Sequence, residues 1–172
     1  MTRRGLWTIN IVILVLLLSS AVVIYRLNSR AASFMLSCSS ELFHHQASGQ
    51  DRRHYLLVDL VSNEGQAQIN YRYFDYEGNL AGTLSMKGTV DSIDTENQIY
   101  DISVTTKKEF LASDHSKVPQ HLAYLSYVSS LNLNKKGLHS LSLQVIERDE
   151  AKDYAVLLFQ PSNTVCGCRL VH

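Results

Sequence analysis

Proline and glycine are scarce, at two and eight of 172 residues. That excludes collagen-like repeats and Pro/Gly-rich linkers, and leaves no low-complexity segment to separate domains. Three cysteines are too few for a disulfide-dense scaffold. No run of like charges is long enough to form a tail. The chain has no G-x-S-x-G elbow, no P-loop and no G-x-G-x-x-G turn. Its seven histidines, among them His44, His45, His54, His115 and His121, show no H-x3-H or H-E-x-x-H spacing, and surface or turn positions are expected for them. Asp59 lies in an apolar strand with no carboxylate or histidine predictably near it. No catalytic triad can be assembled, so the chain is not expected to be an enzyme, and no cofactor is expected.

Formal charge balances at 16 basic and 16 acidic side chains. Arg3, Arg4, Arg26 and Arg30 are the only charges in the first 30 residues, which leaves 12 basic against 16 acidic groups beyond them. A mildly acidic body lacks the basic patch that a nucleic-acid surface requires.

One long uncharged run is present. Leu6 to Tyr25 is twenty residues with only Thr8, Asn10, Ser19 and Ser20 polar, and with Trp7 and Tyr25 at its edges. As a helix it would span about 30 Å, the thickness of a bilayer's hydrocarbon core. The expected organisation is a cytoplasmic tail over 1–5, a transmembrane helix over 6–25, a juxtamembrane segment over 26–32 and an exported β-rich domain over 33–172. Arg26 and Arg30 weaken the charge asymmetry behind that orientation. Ser19 and Ala21 also fit a signal-peptidase site, but Val22, Val23 and Ile24 continue the apolar run and favour an uncleaved anchor. Met35-Leu36-Ser37-Cys38 loosely matches a lipoprotein box, displaced beyond Arg26 and Arg30.

The exported part alternates in short bursts. Phe34, Leu36 and Cys38 share a face, as do Ala67, Ile69, Tyr71 and Tyr73. So do Leu80, Leu84, Met86 and Val90, with Gly82 and Gly88 in phase, and then Tyr100, Ile102, Val104 and Phe110. His54 to Ser62 and Tyr154 to Gln160 read as buried strands. Residues 111–137 lose this rhythm. Ser116 can cap a helix with Pro119 in its first turn, and Val118, Leu122, Leu125 and Val128 share its face to about Leu131. Leu141, Leu143 and Val145, then a last strand over 164–171, complete about eight strands. The pattern predicts a mainly β fold: an antiparallel curled sheet or barrel of about eight strands with one short helix. If closed, such a barrel can hold one small ligand.

In an oxidising compartment Cys38 bonded to Cys166 or Cys168 would tie the first strand to the last; a bridge between Cys166 and Cys168 is the alternative. Cys166, Cys168 and His172 share a strand face and could converge on a soft metal ion, although a fourth ligand is not evident. Tyr71, Tyr73 and Tyr100 could wall a cavity for an amphipathic ligand, against the simpler reading of core packing.

The anchor Leu6 to Tyr25, the Phe34-Met35-Leu36-Ser37-Cys38 strand and the hairpin from Asn70 to Asn79, NYRYFDYEGN, together resemble the bacterial FidL-like membrane proteins. These are similar in role to ToxS-type partners of ToxR-like, membrane-embedded transcription regulators. The resemblance implies an inner-membrane protein with its N-terminus in the cytoplasm and a lipocalin-like barrel in the periplasm. It implies a heterodimeric partnership between periplasmic domains, a small bile-salt-like ligand in some cases, and no direct contact with nucleic acid. Two rival expectations are a stand-alone anchored ligand-binding module and an envelope metal or thiol protein built on Cys166, Cys168 and His172.

Overall fold

The computed structural model describes residues 3–28, 33–44, 52–112, 118–131, 137 and 139–171. The chain divides into two compact units, 1–31 and 32–172. The first is a helix, α1 (Arg3–Asn28). Its side chains from Ile11 to Leu18, with Val22 and Val23, are exposed. Among the described residues no helix is long and apolar enough to cross a membrane. The transmembrane helix expected over 6–25 is thus not found within those residues.

The second unit contains β1 (Phe34–His44), β2 (Arg52–Asn63), β3 (Gln66–Phe74), β4 (Leu80–Asp94), β5 (Ile99–Leu111), α2 (Gln120–Ser130), β6 (His139–Asp149), β7 (Tyr154–Gln160) and β8 (Thr164–Val171). Each strand pairs antiparallel with the next, and β8 pairs with β1. The result is a closed eight-stranded barrel in simple sequence order, the closed form of the two that the strand pattern allowed. Closure leaves no free edge at that seam. The seam is short: five residue pairs, Met35↔Val171 to Ser39↔Gly167, against eleven between β1 and β2.

Local chemistry sets the hairpins. Glu64 and Gly65, both at positive φ, form the two-residue turn between Asn63 and Gln66, the turn whose twist matches paired strands. Between β3 and β4 the Asp75 carboxylate accepts from the backbone N–H groups of Glu77 and Asn79 at 2.9 and 2.8 Å. Asp94 accepts from the Asn97 side-chain amide at 2.7 Å and from the backbone N–H groups of Asn97 and Glu96 in the next turn, and these hydrogen bonds, the side-chain one foremost, hold its carboxyl below the usual range.

Inward alternation builds the core. Leu56, Val58 and Leu60, Ile69, Tyr71 and Tyr73, Leu84 and Met86, Ile102 and Val104, Leu141 and Leu143, and Leu157 and Phe159 are buried on the successive strands β2 to β7. Two expected faces differ, and irregular pairing explains both. Phe74 pairs with Leu80 while Tyr73 pairs with Gly82, so Ala81 is an extra residue. Ala81 is buried and Leu80 turns outward. On β5, Thr106 pairs with Lys87 and Val104 with Gly88, leaving Thr105 over. The phase inverts there, and Phe110 emerges 56% exposed. A Cβ on Gly88 would collide with the Ser103 carbonyl, so the bulge needs glycine.

The helix begins one residue after Pro119, which is its N-cap rather than part of its first turn and provides no side-chain cap. The expected cap, Ser116, lies outside the described residues. Leu122, Leu125 and Val128 are buried as the spacing required. Leu122 packs where a Cβ on Gly82 would stand, 2.5 Å from Leu122 Cδ2. Leu122 and Leu125 join the barrel core, so α2 plugs the end of the barrel formed by Tyr73, Gly82 and Thr164.

Candidate functional site

The opposite end is open. A cavity of about 150 Å³ lies there, walled by Phe34 and Leu36 of β1, Leu60 of β2, Tyr100 of β5, Leu143 and Val145 of β6, Ala155 and Leu157 of β7 and Leu170 of β8. Phe34 and Tyr100 meet edge to face, with ring centroids 5.3 Å apart. Ser33 and Arg148 also line it. The Arg148 guanidinium, about half exposed, pairs with Glu150 at 3.0 Å. An apolar cavity of about this size accommodates one benzene-sized group, and pockets for drug-sized ligands run to roughly 300–1,000 Å³. The mouth therefore suits the apolar end of a molecule whose remainder lies beyond the rim.

Of the three tyrosines expected to wall a cavity, Tyr100 lines the mouth. Tyr71 and Tyr73 share the interior face but sit deeper, at 1% and 0% exposure. Tyr71 packs edge to face on Phe159, with centroids 6.2 Å apart, and its buried hydroxyl has no hydrogen-bond partner among the described residues. Burial raises the pKa of both tyrosines, with the neighbouring Cys166 adding to the shift.

Beneath α2 lies a second, partly buried group of polar residues. His121 Nδ1 lies 2.8 Å from the Tyr73 hydroxyl, and its Nε2 lies 2.6 Å from Thr164 Oγ1. Desolvation pushes this imidazole down to about 4. His139 on β6 is 1% exposed, and neither ring nitrogen has a partner among the described residues. Burial lowers its pKa, and the charge on Lys107 adds to the effect. His54 is buried at 8% exposure. His54 is therefore not the expected surface residue, and His121 is half-buried. His45 and His115 lie outside the described residues, as does the side chain of His44.

Cys38 is disulfide-bonded to Cys168, its register partner across the β1–β8 seam. Cys166 is a free, buried thiol, and burial pushes it up to about 12. A thiol at that value is neutral and a poor nucleophile or metal ligand at physiological pH. The metal set of Cys166, Cys168 and His172 is not assembled: Cys168 is committed to the disulfide, and His172 lies outside the described residues. Among the described residues no group of three or more His, Cys, Asp or Glu side chains could hold a metal ion. Asp59 faces outward and pairs with Arg72 at 2.6 Å, while also accepting from Ser37 Oγ at 3.0 Å. This is a surface ion pair of small energetic weight.

Sequence reasoning missed His121 and His139, because a histidine's neighbours across a barrel are not periodic in sequence. Tyr73 and His121 are 48 residues apart. Neither a protein-family model nor a curated protein matches the chain.

Proposed function

We propose that this chain is a membrane-anchored accessory protein whose barrel takes the apolar end of a small amphipathic molecule at its mouth. Through the barrel it would bind and stabilise a ToxR-like membrane transcription regulator. The observation that carries the ligand-binding part is the mouth cavity, an apolar chamber with Arg148 at its rim. The anchor is supported by the twenty uncharged residues Leu6 to Tyr25, which lie within α1, and by the exposure of its apolar side chains from Ile11 to Leu18. An inner-membrane location with the barrel in the periplasm agrees with the Cys38–Cys168 disulfide, which needs an oxidising compartment. The regulator as partner rests on the resemblance to FidL-like proteins, and the DNA-binding element would belong to that partner.

Two measurements test this reading. The barrel, residues 32–172, should bind a naphthalene sulfonate dye, and Leu143→Trp, which fills the cavity, should weaken binding by about tenfold or more. Unchanged affinity in that variant removes the cavity from the account. Deleting the protein should lower the regulator's level or its target transcription, and unchanged values for both count against the partnership. A stand-alone anchored binding module is the second reading. It is favoured by closure of the barrel within one chain, which leaves no missing strand for a partner to supply. Pull-down of the tagged full-length protein after crosslinking separates the two, since only the first reading recovers a single-pass protein with a cytoplasmic DNA-binding domain.

A further inference from the structure

The contacts that hold α2 in the barrel include one continuous chain of hydrogen bonds, and its direction can be deduced. Ser162 Oγ donates to the Phe159 carbonyl at 3.2 Å, which uses its single hydrogen. Thr164 Oγ1 therefore donates to Ser162 Oγ, at 2.9 Å, and must accept from His121 Nε2–H at 2.6 Å. With its proton on Nε2, the neutral ring accepts at Nδ1 from the Tyr73 hydroxyl at 2.8 Å. Tyr73 of β3, His121 of α2 and Thr164 of β8 are thus linked in one polarity, running to the Phe159 carbonyl on β7. A second proton on His121 breaks it. Nδ1 becomes a donor, and the hydroxyl of the fully buried Tyr73 loses the acceptor for its hydrogen.

We propose that α2 is an acid-released plug, latched by the hydrogen-bond chain from Tyr73 through His121, Thr164 and Ser162 to the Phe159 carbonyl, so that protonating His121 opens the barrel end opposite the mouth. The groups facing the latch are neutral: Tyr71 and Tyr73 from β3, and Cys166 and Thr164 from β8. No carboxylate among the described contacts of His121 favours the imidazolium. On the other flank of α2, Lys107 Nζ of β5 donates to the Ser126 carbonyl at 3.0 Å and to Ser130 Oγ at 2.7 Å, with Glu109 3.5 Å from it. The Lys107 charge opposes protonation of His139 on β6, which like His54 of β2 is a buried imidazole at this end.

The sign follows from linkage. The His121 pKa is held below its unfolded value, down to about 4. Closure of α2 therefore keeps its full strength above about pH 6.5 and weakens as pH falls toward about 4. The inference is independent of whether the mouth binds a ligand.

Hydrogen exchange of the full chain in detergent micelles, read by mass spectrometry at about pH 7 and about pH 4.5 with intrinsic rates corrected, tests it. Protection of α2 should fall by about tenfold or more at the lower pH, while β2 and β3 keep theirs. His121→Gln, which does not titrate, should abolish the change, and His139→Leu should retain it. The proposal is overturned if α2 keeps its protection, if β2 and β3 lose theirs in parallel, or if the response follows His139 and not His121. Should His121→Gln fail to fold, the imidazole ¹⁵N shifts of the wild-type chain decide instead. A His121 that titrates near 6.5 with α2 still protected overturns it, and one that titrates together with the loss of α2 protection supports it.

Discussion

At the residue scale, Cys38 and Cys168 stand opposite each other on the strands that begin and end the barrel, 130 residues apart in sequence. A crosslink over so long a loop removes much of the unfolded chain's freedom, and loss of a native disulfide costs about 2–5 kcal/mol. Cys168→Ser should lower the urea midpoint of the oxidised protein accordingly, and reduction should have no further effect on the variant. In denaturant the unreduced wild-type chain should show one reactive thiol, Cys166. Three would mean that the bond does not form. Which of Cys166 and Cys168 pairs with Cys38 could not be read from the sequence. Both lie on the inward face of β8, and only the register of β8 against β1 decides between them. The tyrosines repeat that lesson. Alternation placed Tyr71, Tyr73 and Tyr100 inside, but depth along the barrel axis separates Tyr100 at the mouth from the other two in the core, and periodicity carries no information about depth.

At the element scale, eight strands and one helix were legible, because each hairpin is local and each strand has an apolar face. β3 followed its pattern without error: Ala67, Ile69, Tyr71 and Tyr73 are all buried. The errors fell after irregular pairings, at Leu80 and Phe110, where one extra residue inverts the face. The helix core of Leu122, Leu125 and Val128 was legible from its spacing, but the way it is fastened was not. Gly82 lies beneath Leu122 because any side chain there would occupy the same volume. Gly82→Val should lift α2 and destabilise the barrel by about 1–3 kcal/mol, the usual range for overpacking. Thermal unfolding measures the loss, and faster exchange in α2 than in β2 locates it. An unchanged melting temperature would show that α2 does not seat on β4 as described.

At the scale of the whole molecule, the barrel closes on itself, and the chain divides at residue 31 into a helical unit and the barrel. Residues 32–172 alone should therefore be folded and monomeric, with no sheet edge left at the seam to aggregate. Sedimentation together with far-ultraviolet circular dichroism checks this, and aggregation of that piece would mean that the barrel needs a second chain.

The meander order also sets a sequence of assembly. Seven of the eight strand pairings join neighbours in the chain, so as residues appear from β1 onward each strand finds a partner already made. The pairing of β1 with β8 must wait for the last strand. Until then β1 offers one unpaired edge and Cys38 has no bonding partner, while the other pairings can form. A chain halted before β8 would present that strand edge and a reduced Cys38 to whatever it meets. Trapping such a halted chain with a thiol reagent should label Cys38 readily, whereas the finished barrel, with Cys38 1% exposed and bonded, should leave it unlabelled.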